Sequence, residues 1–336
     1  MKAIVLHKTG DSGNLQLEEV ADPVPGPQEV VVRLRAAALN HRDVWIRRGQ
    51  YAGIKLPAIL GSDGAGEVSE LGEGCDSALL GKQVLIYPAL NWGQNPRVFG
   101  HEFRILGMPD WGTYAERICI PAENLYPIPT GYSYEEAASF PLAALTAYRA
   151  LVSRIQLQKG ETVLITGIGG GVSQFALQIA TALGATAYVT SGSDLKLERA
   201  LQNGAAGGAN YGSPDWAGKI LEMTGGVGTD VVIDSVGGST FDQVIDLVKP
   251  GGRIVTYGST SGPTPQLQVR RVFWKQLDIL GSTMGMPEEF SRVLRLFQNT
   301  GTHPILDQTF PLQEAASAHQ RMEKAEQFGK IVLRID

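Results

Sequence analysis

The chain has 336 residues, 43% hydrophobic and 19% charged, with 41 glycines. That balance belongs to a soluble globular protein and, at about 150 residues per domain, to about two domains. Lys and Arg total 29 against 34 Asp and Glu, a formal charge of −5, which supplies no general attraction to nucleic acid or to an anionic membrane.

The start, MKAIVLHK, has too short an apolar run for a signal peptide or a membrane span, so a cytoplasmic protein is expected. Glu29 to Leu39 places Val30, Val32, Leu34 and Ala36 on one face and Val31, Arg33, Arg35 and Ala37 on the other, the period of a half-buried strand. Further strands are expected within 81–88 and 112–122, set among loops rich in Gly, Pro and Asn, so the N-terminal third reads as a small β domain. Two cysteines, Cys75 and Cys119, exclude a four-cysteine zinc site, allow at most one disulfide, and read as small buried hydrophobes.

From about Glu135 the segment EEAASFPLAALTAYRALV is helical in character, and short strands then alternate with helices. Six strands are expected: Val163–Thr166, Ala187–Thr190, Ala209–Tyr211, Val231–Ser235, Arg253–Tyr257 and Leu277–Leu280. They make one doubly wound α/β sheet. Val172, Phe175, Ala176, Ile179 and Leu183 mark one face of the first helix, which Gly184 ends. After Leu280 one helix near Glu288–Gln298 and a final strand within 329–335 complete the reading.

VLITGIGGGVSQFALQIA sets a glycine turn after an apolar strand and before an amphipathic helix, the context that makes such a turn a dinucleotide cradle. Helix N-terminal N–H groups can meet a pyrophosphate, and glycine admits it closely. The next strand ends in TSGSDLK. No carboxylate follows it directly, and Ser191, Ser193 and Lys196 suit the 2′-phosphate of NADP(H). A helix cap followed by a solvated lysine is the plainer reading of the same residues, and an inward-pointing Asp194 would let NAD compete.

These features, with GSDGAGEVSELGEG at 61–74, ALTAYRAL at 144–151, DSVGG at 234–238 and GKIVL near the end, resemble the medium-chain dehydrogenase/reductase superfamily over essentially the whole chain. The resemblance is strongest to its quinone oxidoreductase branch and to zinc-type alcohol dehydrogenase-like proteins. It implies a GroES-like catalytic domain from 1–130 and 270–336, a Rossmann domain at 131–269, and a substrate meeting the nicotinamide in an interdomain cleft. It also implies a homodimer joined through Leu277–Gly281. The implied cofactor contacts are Gly167, Gly169, Gly170, Gly171, Val172, Ser191, Ser193, Lys196, Tyr211, Ser235, Gly258, Ser259 and Lys330. One departure is Ser173, where a glycine is common in the family.

Zinc-dependent members hold the metal with a cysteine, a Gly-His-Glu pair and a second cysteine. The matching places here are Asn40, Ser62 with Asp63, and Ala143, which leaves no zinc site. Gly100-His101-Glu102 lies about 40 residues too late and reads as a surface loop. His7, His41, His303 and His319 show no ligand spacing.

Without a metal, hydrogen-bond donors must steady the charge that develops on the substrate oxygen. The resemblance assigns Asn40 and Thr146 to the nicotinamide pocket and Tyr51 to the substrate. Asn40 also suits a helix cap, Thr146 a satisfied helical position and Tyr51 loop packing. His41 suits either a proton relay or a solvated position, and Asp63 an ordering role in its loop. The function expected is NADPH-dependent reduction of a quinone or an α,β-unsaturated carbonyl. The alternatives are an alcohol or aldehyde dehydrogenase, or an NADPH-binding protein with little catalysis.

Overall fold

A ten-residue strand, Glu29–Ala38 (β1), organises the N-terminal part of the chain. Alternation holds only at Arg33 and Arg35; Val31 and Ala37 are buried together with Val30, Val32, Leu34 and Ala36, so both faces are covered over most of its length. Helix His41–Arg48 (α1) follows, with Asn40 at its N-cap and Gly49 closing it at φ 79°. Strand Asp63–Leu71 (β2) runs antiparallel along one side of β1. The other side of β1 is shared, its first half by Arg117–Pro121 and its end by the last strand of the chain.

Where β2 crosses β1, a Cβ on Gly66 would sit 2.0 Å from the Arg33 carbonyl oxygen and 2.9 Å from Leu34 Cα. Backbone cannot yield there as a flexible side chain would. Gly66→Ala is expected to lower stability by about 1–3 kcal/mol, the usual range for overpacking, measured by urea unfolding; an unchanged midpoint would show that the strands separate freely.

The computed structural model describes residues 1–264 and 266–336. They form two units, Met1–Ala143 with Gly285–Asp336, and Ala144–Met284. These junctions differ from 130 and 270 for a physical reason. Leu142 and Tyr132 hydrogen-bond to Asp63 and Thr302 of the first unit, and the strand Asp278–Gly281 belongs to the sheet of the second.

The second unit carries strand Thr162–Ile165 (β3), helix Gly171–Ala182 (α2), strand Thr186–Ser191 (β4), helix Asp194–Gln202 (α3), then strands Gly207–Asn210 (β5), Thr229–Asp234 (β6), Val248–Thr256 (β7) and Asp278–Gly281 (β8). All pairings are parallel, in the order β5-β4-β3-β6-β7-β8. The six strands expected from the apolar runs are all present. Leu164, Val232 and Ile254 pack on one face with Trp216, Ile220, Phe241 and Val244. Helix α2 is buried beyond its expected stripe, including Ser173 and Gln174 at 2% exposure each. Gly184, at φ 77°, follows its end.

The Ala-rich segment ahead of β3 is not one helix. It breaks into Tyr134–Ser139, Pro141–Tyr148 and a π-helical turn Arg149–Arg154, because Pro141 cannot donate to the preceding turn. After β8 come helix Pro287–Thr300, strand Leu306–Pro311 (β9), helix Ala315–Glu323 (α4) and strand Lys330–Arg334 (β10). The sequence reading missed β9 and α4. The strand holds Asp, Gln and Pro, and the helix buries Ala315, Ala318, His319 and Met322, too small or polar a set to signal a core face. Both cysteines are half-buried and free, not core residues, with their thiols donating to Glu29; burial pushes the Cys119 thiol up to about 12, and the Glu29 carboxylate adds to the shift.

Candidate functional site

The glycine turn leaves β3 at its C-terminal end and enters α2. Gly167 has φ 66°, and a Cβ there would lie 2.9 Å from Val236 and 3.8 Å from the Ser235 hydroxyl. Gly169 has φ 150°, Gly170 is the N-cap of α2, and Gly171 and Val172 form its first turn, where backbone N–H groups lack helical partners. Ser173, the departure from the family pattern, donates its hydroxyl to the carbonyls of Gly167 and Gly170 at 3.0 and 2.9 Å, and Gly169 N–H approaches it at 3.4 Å. Serine therefore ties the cradle together instead of opening it.

Beside this turn, buried Asp234 accepts from Thr166 Oγ1 at 2.7 Å and from the N–H groups of Val236 and Gly237. Burial raises its carboxyl pKa against these bonds. A Cβ on Gly258 would lie 3.3 Å from the Ser235 carbonyl oxygen, and the Ser259 hydroxyl donates to the Gly262 carbonyl. Gly167, Ser235, Gly258 and Ser259 thus lie together past the ends of β3, β6 and β7.

A second group gathers past β4 and β5. Tyr211 N–H donates to the Ser191 carbonyl at 3.0 Å, and its ring lies 3.0 Å from where a Cβ on Gly192 would be. Ser193 N–H donates to Ser191 Oγ at 3.2 Å, and Lys196 is half-buried in the first turn of α3. Asp194 accepts from Asn210 Nδ2 at 2.8 Å. These groups are suited to an anion at the strand ends, and the glycine cradle to a dinucleotide pyrophosphate.

In the first unit a buried polar group forms where β1 ends. Ala38 is flanked by Asp63 of β2 and by Val332 of β10, which draws residues far apart in sequence to Asn40. Asn40 Nδ2 donates to Asp63 Oδ2 at 2.9 Å; Lys330 Nζ donates to Asp63 Oδ2 at 3.0 Å, to Asn40 Oδ1 at 2.8 Å and to the Leu39 carbonyl at 2.8 Å. Leu142 N–H donates to Asp63 Oδ1 at 2.8 Å. Lys330 was expected among the cofactor contacts. It is 3% exposed, and its three N–H groups are engaged by Asp63, Asn40 and the Leu39 carbonyl. Asp63 holds this group together and does more than order its loop.

The start of α1 is secured by Asp43, whose Oδ2 accepts from Asn40 N–H and Tyr114 Oη at 2.9 Å each. Burial raises the Asp43 carboxyl pKa, opposed by nearby Arg42 and these bonds. Arg42 donates to Ser62 Oγ at 2.7 Å and to the Leu106 carbonyl at 2.8 Å, and its guanidinium lies 5.3 Å from the Tyr51 ring centroid. Tyr51 is half-buried against the core of this unit. Thr146, 6% exposed on its helix, belongs to the second unit.

The residues at the zinc positions do not fit the metal. Both Asp63 oxygens accept donors, one of them an ammonium; Ser62 Oγ donates to the Leu106 carbonyl at 2.8 Å; and Ala143 offers no ligand. Among the described residues no group of three His, Cys, Asp or Glu is arranged to hold a metal ion. His101 and Glu102 have side chains 94% and 69% exposed, on a loop anchored by Trp92, Phe99 and Phe103, whose ring centroids lie 4.7–6.0 Å apart. No helix among the described residues is long and apolar enough to cross a membrane.

Comparison with known proteins matches residues 26–130 to the alcohol dehydrogenase GroES-like domain and 171–299 to the zinc-binding dehydrogenase family. A zinc-type alcohol dehydrogenase-like protein YogA of Leptosphaeria maculans is 35% identical over 96% of this chain and 94% of its own. A quinone oxidoreductase of Pseudomonas aeruginosa is 32% identical over 95% of each chain, and an acryloyl-coenzyme A reductase of Metallosphaera sedula 31% over 99% of each. Among solved structures, an NAD-dependent alcohol dehydrogenase superposes with a TM-score of 0.96 at 40% identity, covering all of both chains. A mycobacterial protein in complex with NADPH does so at 0.86 and 28%, again over all of both.

Proposed function

Because the chain belongs to the medium-chain dehydrogenase/reductase superfamily of oxidoreductases, we propose that it is an NADPH-dependent, zinc-independent reductase of quinones or α,β-unsaturated carbonyls. The observation that carries this reading is the ammonium of Lys330 on Asp63, at the position where zinc-dependent relatives bind metal. In the enone case the substrate would gain a hydride at its β-carbon and a proton, from a donor or water, at its α-carbon, with negative charge building on the carbonyl oxygen in between. The cofactor supplies the hydride. The protein's part is to hold it, exclude water and offer donors to the oxygen that gains charge.

NADP(H) is favoured over NAD(H) by Ser191, Ser193, Lys196 and Tyr211 past β4 and β5, with Asp194 engaged by Asn210. Lys196→Ala should lower kcat/KM for NADPH about tenfold or more, the worth of a charge-assisted contact of about 1.5–3 kcal/mol, and leave NADH unaffected. Equal losses with both cofactors would contradict the phosphate assignment. Asn40, Thr146 and Tyr51 are each proposed to serve the reaction.

Stopped-flow consumption of NADPH with a panel of 1,4-quinones, alkenals, enones and simple aldehydes tests the reaction class. Turnover of quinones or enones is expected. A second reading, alcohol dehydrogenase, is favoured by the 40% identical alcohol dehydrogenase structure; NAD(P)+-dependent alcohol oxidation with stoichiometric zinc would establish it in place of the first. NADPH binding without turnover of any acceptor would leave a binding protein.

Among the described residues strand β8 pairs only with β7, and the neighbouring helix Val269–Trp274 exposes Phe273 at 63% and Trp274 at 78%. An open edge beside exposed aromatics calls for a cover, and a second copy is the proposed one. Light scattering should give twice the 36.0 kDa chain mass; a monomer at micromolar concentration would refute it.

A further inference from the structure

A carboxamide has two different ends, and Asn40 is held by opposite charges on each. Its oxygen accepts from the Lys330 ammonium at 2.8 Å, and its nitrogen donates to the Asp63 carboxylate at 2.9 Å. Flipping the amide would set oxygen against carboxylate and N–H against ammonium. Only one orientation is therefore compatible with its neighbours. All three side chains are buried, at 7% for Asn40, 3% for Lys330 and 0% for Asp63, where water does little to screen such a reversal. The pair is itself anchored, Lys330 to the Leu39 carbonyl and Asp63 to Leu142 N–H.

The amide nitrogen carries two hydrogens and Asp63 takes one. The second meets no acceptor among the described residues. We propose that Lys330 and Asp63 are positioning residues that fix the sign of Asn40, so that the group it presents to a reactant is always an N–H donor. The reactant it fits carries a carbonyl oxygen, either the acceptor's own or that of the nicotinamide carboxamide. An unlocked asparagine would present oxygen as readily as nitrogen, and oxygen would repel a carbonyl gaining negative charge.

This rests on the proposed reduction for its kinetic arm and on the amide itself for its spectroscopic arm. Asn40→Asp replaces the donor by an acceptor of the same shape and should lower kcat at least tenfold. The double variant Lys330→Met with Asp63→Asn removes both charges that orient the amide without leaving a lone buried charge, and should lower the rate about tenfold as well. In an Asn40→Ala background the same double change should alter the rate less than about twofold. An equal loss with and without Asn40 would overturn the proposal, since a pair needed only for folding slows both. A raised Kd for NADPH in these variants assigns the oxygen to the nicotinamide; an unchanged Kd with lowered kcat assigns it to the acceptor.

Selective 15N labelling of asparagine reads the lock without turnover. The side-chain signal absent in Asn40→Asp identifies Asn40, and its two protons should be widely separated in the wild type and draw together in the double variant. An unchanged pair of signals would overturn the lock. If the wild type reduces no acceptor while the signals respond as expected, the reaction assignment fails and the lock stands.

Discussion

Acidification should destabilise the wild-type protein more than a His319→Leu variant, by about 2 kcal/mol at pH 5 and up to about 5 kcal/mol near pH 3, at about 1.4 kcal/mol per pH unit. His319 lies on α4, fully buried, with neither ring nitrogen hydrogen-bonded among the described residues. Its ring meets that of Tyr114 edge-on, with centroids 5.9 Å apart. Burial, with a smaller contribution from the positive charge of Arg47, lowers its pKa from 6.5 to about 3. The folded state thus holds this imidazole neutral while the unfolded chain protonates it near 6.5. Its contribution is fully present above 6.5 and is lost as pH falls toward 3. Buried Asp43 and Asp234, whose carboxyl pKa values are raised, act in the opposite sense, because the folded state takes up their protons more readily than the unfolded chain. For that reason the test compares two proteins and not two pH values of one. At pH 8 the leucine variant should be as stable as the wild type or more so, since it removes two unpaired polar atoms. Unfolding free energies that run parallel for both proteins from pH 8 to pH 4 would show that water reaches the imidazole.

The parallel sheet was legible because each of its strands is a short apolar run between turns, and buried parallel strands consist of little else. The glycine cradle was legible for a related reason: β3, the turn and α2 are contiguous, so chain order is also spatial order. The Asn40 group was not. Lys330 and Asn40 are 290 residues apart, and they meet because β1 pairs with β2 on one side and with β10 on the other. Nothing local to GKIVL announces that register, and a buried lysine in a strand looks like any strand residue with a polar tip. Asp63 was likewise read within its own loop, while its partners come from Asn40, Leu142 and Lys330. Absent zinc ligands could be read from residue identities alone; what replaced them required the sheet.

Lys330→Met should cost about 3–5 kcal/mol of stability at pH 8, and Asp63→Asn in the same chain should restore most of it. The single variant leaves the Asp63 carboxylate at 0% exposure with, among the described residues, Asn40 Nδ2 and Leu142 N–H as its remaining donors. Two neutral donors do not repay the hydration that a buried carboxylate loses. Neutralising the carboxylate removes that cost, and the asparagine amide can still accept from one of the two donors. A surface pair would behave otherwise, with a loss below about 1 kcal/mol that added salt erases. Guanidinium unfolding carries its own salt, so urea is the denaturant of choice. If the single and double variants unfold at the same urea concentration, Lys330 compensates no buried charge, and the orientation of Asn40 must have another cause.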